Sequence, residues 1–258
     1  MDEDECVKYI QSYPQLKHIL PSMIQGVAKS KNLIVAGQRA EFELRLGSYD
    51  TQSKRFTSGV GRNQGDKIVI SLDQARWDST TDWTEQHDYF YNLPDNIGPV
   101  RQEVIINSDN FEVTINILQK NRVWLCDCPK VVPFNASRSK TNGNTKLLCI
   151  RGCVSSENLL PPDILPPVIN PSMVRIKQRK SYVTGAWRFD LTLAWMGLTR
   201  TKAEEAQANS PAIFEVELEC IDHKYLMAHT DAYVAASALL KLTDLLDQEV
   251  FAVTRVRK

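Results

Sequence analysis

The stretch Ala40-Glu41-Phe42-Glu43-Leu44-Arg45-Leu46-Gly47 decides the fold. Residues two apart in a strand share a face. Glu41, Glu43 and Arg45 therefore project to one side, and Phe42, Leu44 and Leu46 to the other. The pattern returns late in the chain, where Glu215, Glu217 and Glu219 alternate with Phe214, Val216, Leu218 and Cys220. Between them, Arg175, Lys177 and Arg179 alternate with Val174, Ile176 and Gln178, and Arg188, Asp190 and Thr192 with Trp187, Phe189 and Leu191. An amphipathic sheet with its polar face in water is the ordinary reading of one such strand. It fits the set poorly. Glu is a weak strand former, and three on one face repel each other. The signs are also sorted, with two Glu-rich strands and one purely basic strand. A closed barrel with a charged interior accounts for both features, its apolar faces pointing outward beneath helices. Such an interior requires bound counter-charges, because like charges at low dielectric are costly alone. A metal ion with a polyanion such as triphosphate would satisfy the two sets together.

The rest of the chain supplies the frame. Residues 7–30 carry apolar positions at helical spacing broken by Pro14 and Pro21, which predicts one or two short helices in the N-terminal segment 1–32. Strands are expected at 33–47, 67–72, 84–91, 99–107, 110–118, 121–127, 145–153, 173–184, 186–195 and 212–222. Loops are expected at 48–66 and in the polar stretch after Cys128. Prolines 161, 162, 166 and 167 make 157–171 a rigid connector, since proline fits neither a helix interior nor a central strand. Residues 200–209 read as a loose polar excursion. A helix at 230–247 closes the chain. The sum is a mainly β (α+β) protein, one domain over 1–258 with its barrel in 33–222.

Composition narrows the function. The 258 residues hold 31 Lys+Arg against 31 Asp+Glu, so bulk positive charge is not available to bind nucleic acid. The acidic start Met1-Asp2-Glu3-Asp4-Glu5 is unlike a secretory or mitochondrial leader, and no run reaches the roughly 18 apolar residues of a membrane span. No membrane association is expected. Six cysteines in a reducing compartment are read as small core residues. Cys126, Cys128, Cys149 and Cys153 are spaced C-x-C and C-x3-C, unlike a zinc ribbon. The glycosylation sequon at Asn135 carries little weight in such a chain.

Four motifs in order resemble the triphosphate tunnel metalloenzymes, and most closely their metal-dependent RNA 5′-triphosphatase branch of fungi, protozoa and large viruses. They are Ala40–Gly47, the basic strand Arg175-Ile176-Lys177-Gln178-Arg179-Lys180-Ser181-Tyr182, Trp187-Arg188-Phe189-Asp190-Leu191-Thr192, and Phe214-Glu215-Val216-Glu217-Leu218-Glu219. The size is most similar to the stand-alone protozoal enzymes, such as those of trypanosomatids. The resemblance implies a closed antiparallel eight-stranded barrel with flanking helices. It implies that Glu41, Glu43 and Glu219 hold Mg²⁺ or Mn²⁺, and that Lys177, Arg179 and Arg101 contact the γ-phosphate. Lys120 and Arg122 would add tunnel charge. Arg175, Arg188, Asp190, Glu215 and Glu217 would line the tunnel and orient the others, with Asp190 also near the attacking water. The family has an acidic floor residue before the proline connector; the matching stretch Lys146–Gly152 has none, and Glu157 lies a few positions on. Which residue positions the water is left open. The implied reaction removes the γ-phosphate from the 5′-triphosphate end of nascent RNA, the first step of mRNA capping. A separate guanylyltransferase is the expected partner, and the nucleus the expected location, or the cytoplasm if the source is viral.

Two other readings differ by class. A tunnel enzyme for nucleoside triphosphates, tripolyphosphate or thiamine triphosphate usually carries E-x-E-x-K close to its N-terminus, whereas here about 40 residues precede it and Arg45 replaces Lys. A non-enzymatic β-barrel RNA-binding module would interleave exposed aromatics with basic residues, and it leaves the glutamates unexplained. Other phosphate chemistries lack their residues: there is no Cys-x5-Arg loop and no P-loop. Lys140-Thr141-Asn142-Gly143 has Asn where a guanylyltransferase nucleophile motif has Asp, and reads as an Asn-Gly turn. Arg255-Val256-Arg257-Lys258 is a weak basic cluster.

Overall fold

The computed structural model describes residues 2–14, 16–50, 52–93, 98–106, 113–129, 140–141, 144–166 and 168–254. The Asn135 sequon, the Asn142-Gly143 turn and the terminal basic cluster lie outside the described residues. The strands are β1 (Ala40–Asp50), β2 (Arg55–Ser58), β3 (Ser79–Thr80), β4 (Thr84–Asn92), β5 (Pro99–Ile106), β6 (Val113–Pro129), β7 (Lys140–Thr141), β8 (Asn144–Leu159), β9 (Met173–Thr184), β10 (Trp187–Gly197) and β11 (Ile213–Cys220). The helices are α1 (Glu3–Ser12), α2 (Leu20–Val35), α3 (Arg62–Gln74), α4 (Arg200–Asn209), α5 (His223–Ala228) and α6 (Asp231–Thr254). Eight strands pair in the order β1-β11-β10-β9-β4-β5-β6-β8, every pair antiparallel, and β8 pairs back onto β1. The sheet is closed, and the mainly β barrel with flanking helices is as expected. β2, β3 and β7 lie off the barrel wall.

The main hydrophobic core sits outside the barrel. Phe42, Leu44 and Leu46 of β1 and Val216 and Leu218 of β11 are fully buried on the outer face. They join a cluster with Ile10 of α1, Met23 and Val27 of α2, and Leu239 and Leu242 of α6. Each such side chain contributes about 1.5–3 kcal/mol when buried, so the helices secure the wall and leave the interior to polar groups. Close packing makes one point of contact demanding. A Cβ on Gly152 of β8 would meet the Trp124 ring and Met23 Sδ at 2.8 Å, and one on Gly26 of α2 would meet the same ring at 2.7 Å. The indole of Trp124 is thus sandwiched between two glycines.

Several local expectations are corrected. The N-terminal segment does form two helices, but α2 extends through Val35, so the strand expected from residue 33 begins at Ala40. The expected loop 48–66 contains β2, and the expected strand 67–72 is part of α3. Its β-branched run Ile68-Val69-Ile70 favours a strand locally, yet the four-residue spacing of Ile68 and Leu72 lets both bury on one helix face. Tertiary burial outweighs propensity there. The strands expected at 110–118 and 121–127 are one strand, β6, with a bulge between Arg122 and Trp124. The short strand expected at 145–153 runs from Asn144 to Leu159. The polar excursion 200–209 is α4, capped by the Thr199 hydroxyl and pinned by buried Ala203. The cysteines are free thiols, five buried and Cys126 half-buried.

Candidate functional site

Closure turns the alternating charges of the sequence into a tunnel lining. Glu41, Glu43 and Arg45 face inward on β1, in register with Glu219 and Glu217 of β11, which in turn face Arg188 and Asp190 of β10. On the far wall, Lys177 and Arg175 of β9 lie opposite Gln86 and Asp88 of β4, and Asp88 lies opposite Glu103 of β5.

These groups form one large ion-pair network and three smaller groups beside it. Lys120 Nζ lies 2.5 Å from Glu41 and 3.7 Å from Glu43. Arg45 bridges Glu43 (3.0 Å) and Glu217 (3.3 Å). Arg179 reaches Asp190 (3.4 Å) and Glu217 (3.8 Å) and donates to the Thr192 hydroxyl. Arg188 holds Asp190 at 3.0 Å and Glu219 at 2.6 Å, while the Ser181 hydroxyl also donates to Asp190. Arg175 pairs with Glu215, and Lys177 with Asp88 at 2.8 Å. Arg101 pairs with Glu157 (3.1 Å) and Glu103 (3.6 Å).

Burial and neighbours set the protonation of the lining. Burial works to raise the Glu41 carboxyl, but the Lys120 charge and hydrogen bond outweigh it and hold it low. Burial likewise opposes ionisation of Glu217, and Arg45, Arg179 and Arg175 overcome it, pulling the carboxyl far down. Glu219 goes the other way: burial, then the charges of Glu41, Asp190 and Glu43, push it up to about 7 against the pull of Arg188. Glu157 is raised by burial and by Glu41. Lys177 falls to about 8 through burial and the adjacent Arg179, with Asp88 only partly offsetting them.

The predicted residues sort as follows. Glu41, Glu43, Glu219, Lys120, Arg179, Arg188, Asp190 and Glu217 join the large network, and Arg101, Arg175, Lys177 and Glu215 are ion-paired in the smaller groups on the same inner face. Arg122 does neither: it is exposed, opposite Ser155 and at the β6 bulge, with no ion pair among the described residues. Among the described residues no group of three His, Cys, Asp or Glu side chains is gathered closely enough to hold an ion. Glu41 and Glu43 turn to Lys120, and Glu219 to Arg188. The donor set nevertheless fits a hard divalent cation. It offers three carboxylates on two hydrogen-bonded strands, Glu43 directly opposite Glu219, and Glu219 is pushed toward protonation by burial first and then by the charges of Glu41, Asp190 and Glu43. Oxygen donors of this kind suit Mg²⁺ or Mn²⁺. Anion capacity remains as well, because Arg101 Nε and Arg175 Nε are buried donors with no hydrogen-bond partner.

The sequence reading missed Gln86, Asp88 and Glu103, and named Glu157 without giving it a place. Gln86 and Asp88 alternate along β4, and Arg101 and Glu103 along β5, so the same period-two signal was present but mixed in sign. Glu157 is the acid absent from Lys146–Gly152. It is opposite Lys120 on β8, buried, beside Glu41 and bonded to Arg101. The strand continues to Leu159, into the first residues of the stretch read as a connector, which places this acid on the barrel wall.

No protein-family model matches the sequence, and no curated protein sequence matches it. Solved structures do. The S. pombe Pct1 RNA triphosphatase matches with a TM-score of 0.58 at 17% identity, over 90% of this chain and 92% of that one. Pct1 in complex with the Spt5 CTD matches with a TM-score of 0.58 at 19% identity, over 88% and 91% of the two chains. The RNA triphosphatase domain of a trifunctional mimivirus mRNA capping enzyme matches with a TM-score of 0.54 at 17% identity, over 89% and 96%. The likeness establishes the fold: the closed barrel of this chain is the one seen in those RNA triphosphatases, as the sequence motifs implied.

Proposed function

We propose that this chain is a divalent-metal-dependent RNA 5′-triphosphatase that removes the γ-phosphate of 5′-triphosphate RNA by attack of water. The observation that carries the proposal is the sorted tunnel: carboxylates of β1 and β11 on one side, and Arg101, Lys177 and Arg179 within the same enclosed space. Phosphoryl transfer needs little covalent chemistry from a protein. It needs the phosphate held in line with the nucleophile and its developing charge offset.

Glu41, Glu43 and Glu219 would hold the metal. A divalent ion bound there would neutralise charge on a phosphate oxygen and acidify a bound water. The remaining steps belong to this chain's residues. Lys177 and Arg179 offset the equatorial charge of the γ-phosphate. Arg101 and Arg175, each with a spare buried N–H, donate to further phosphate oxygens. Charge-assisted contacts of this kind are worth about 3 kcal/mol each in a water-poor site. Asp88, Glu217 and Asp190 keep these cations in place when substrate is absent. We assign positioning of the attacking water to Glu157, which lies beside Glu41 and is bonded to Arg101, and to Asp190, which is held by Arg188 and Ser181 next to Glu219. The diphosphate-ended product is the substrate of a guanylyltransferase, which we place on a separate chain, acting with this one in the nucleus.

The test is phosphate release from γ-labelled triphosphate RNA with Mg²⁺ or Mn²⁺, with EDTA added, and with Glu41→Ala. Release that EDTA and Glu41→Ala both abolish is the expected result. Near-normal release by a folded Glu41→Ala protein would sink the proposal. Release from tripolyphosphate but not RNA would favour a small-substrate tunnel phosphohydrolase, and no release from either a binding module.

A further inference from the structure

The bulge in β6 re-aims the second half of that strand. Lys120 and Arg122 lie opposite Glu157 and Ser155 on the tunnel face, whereas Trp124, Cys126 and Cys128 lie opposite Val154, Gly152 and Ile150 and face outward. Cys126 and Cys128 are two apart on one strand, so they share that outer face. Their sulfurs lie 3.6 Å apart in a hydrogen bond. Both pack against the helical core, Cys128 buried and Cys126 half-buried. The other four thiols, Cys6, Cys149, Cys153 and Cys220, are buried, and burial pushes each of them up.

The thiolate is the reactive form of cysteine, and the pair favours it on one sulfur. The Cys128 hydrogen bond draws the Cys126 thiol below its usual range, burial opposes this, and a hydrogen bond from Ser22 of α2 assists it. The same bond and burial push Cys128 up. The negative charge therefore falls on the more exposed of the two. Two strand rises of about 3.3 Å put their Cα atoms roughly 6.6 Å apart, a separation a disulfide can span.

We propose that Cys126 and Cys128 are a hydroperoxide-reactive pair that closes to an intrachain disulfide. The Cys126 thiolate attacks one oxygen of hydrogen peroxide. The O–O bond breaks, hydroxide leaves, and Cys126 becomes a sulfenic acid. The Cys128 sulfur then attacks the Cys126 sulfur. The S–O bond breaks, the S–S bond forms, and the hydroxyl departs with the Cys128 proton as water. The dithiol loses two electrons, and the peroxide gains them to give two waters. This chemistry does not depend on the triphosphatase reading, since it sits on the outer face of the barrel beside α2 and not in the tunnel.

The test uses the full chain, reduced, freed of reductant, treated with stoichiometric hydrogen peroxide, alkylated with iodoacetamide and digested with trypsin. The peptide Val123–Lys130 carries both residues and no other cysteine. It is expected unalkylated and lighter by two hydrogens, with the other four cysteines fully alkylated. Free thiols fall from six to four, and dithiothreitol restores them. Cys128→Ser stops at the sulfenic acid, which dimedone captures on Cys126, and Cys126→Ser leaves Cys128 reduced. Full alkylation of Val123–Lys130 after peroxide would overturn the proposal. So would oxidation spread evenly over all the cysteines, or a disulfide from Cys126 to any cysteine but Cys128. Wild type alone decides between these outcomes, so a variant that misfolds leaves the test intact.

Discussion

Lys177 gives the tunnel a built-in alkaline limit. Its ammonium is fully buried, 1% exposed, and it faces Asp88 at 2.8 Å. Burial, and then the Arg179 charge, take its pKa from 10.5 to about 8. That difference corresponds to about 3 kcal/mol against the charged form in the folded chain. Two pH dependences of opposite sign follow. Between about pH 8 and 10.5 the unfolded chain holds a proton on this lysine that the folded chain has lost, so the Lys177 contribution to stability rises with pH through this window. The buried thiols of Cys149 and Cys220, pushed up to about 12, act in the opposite direction. Activity falls through the same window, because a neutral amine cannot offset phosphate charge. A bound divalent ion adds positive charge nearby and moves the limb lower, never higher. The assay is kcat/KM, which reports the free enzyme's groups, measured with Mg²⁺ on tripolyphosphate and RNA from neutral to about pH 10 alongside urea melts. In wild type roughly a tenth of kcat/KM remains one pH unit above the lysine pKa, while the urea midpoint climbs relative to that of Lys177→Arg at the same pH. Lys177→Arg keeps its charge at all these pH values, so its profile is flat over the window even though its absolute rate is lower. A wild-type profile flat past pH 10, or a Lys177→Arg variant that retains the limb, would refute the argument.

Other perturbations probe separate parts of the molecule. Glu157→Gln removes a carboxylate bonded to Arg101 at 3.1 Å, and kcat on RNA is expected to fall at least about tenfold, in the range of a lost positioning group, with the melting transition unchanged; steady-state kinetics and circular dichroism check both. Gly152→Val forces a side chain into Trp124 and Met23, 2.8 Å from the new Cβ; overpacking of this kind costs about 1–3 kcal/mol, read as a lower urea midpoint at unchanged slope.

The charged faces were legible because their cause is local. The strand period of two acts residue by residue, and Glu41, Glu43, Arg175, Lys177, Arg179 and Glu215–Glu219 keep it without interruption. The same argument missed Gln86, Asp88 and Glu103, where acids, bases and amides mix and no sorted stripe forms. It erred at residues 67–72, whose β-branched run is helical in α3 because Ile68 and Leu72 bury together. It also grouped Arg122 with Lys120. The two share a strand, but at the bulge Arg122 lies outside the ion-pair network while Lys120 stays on Glu41.

By itself, then, the sequence determined which side chains share a face, that the polar face is too charged to stand alone in water, and that the apolar face needs helices over it. All three follow from backbone pleat and side-chain chemistry. Only the tertiary structure decided which charge meets which. Pairing of β8 with both β6 and β1 closes the barrel, and that closure sets Glu157 between Glu41 and Arg101, although 56 residues separate it from one and 116 from the other. Register between distant strands is a property of the whole sheet, fixed by turns, bulges and helix packing together. The partition of the cations among their carboxylate partners arises at that level and at no earlier one.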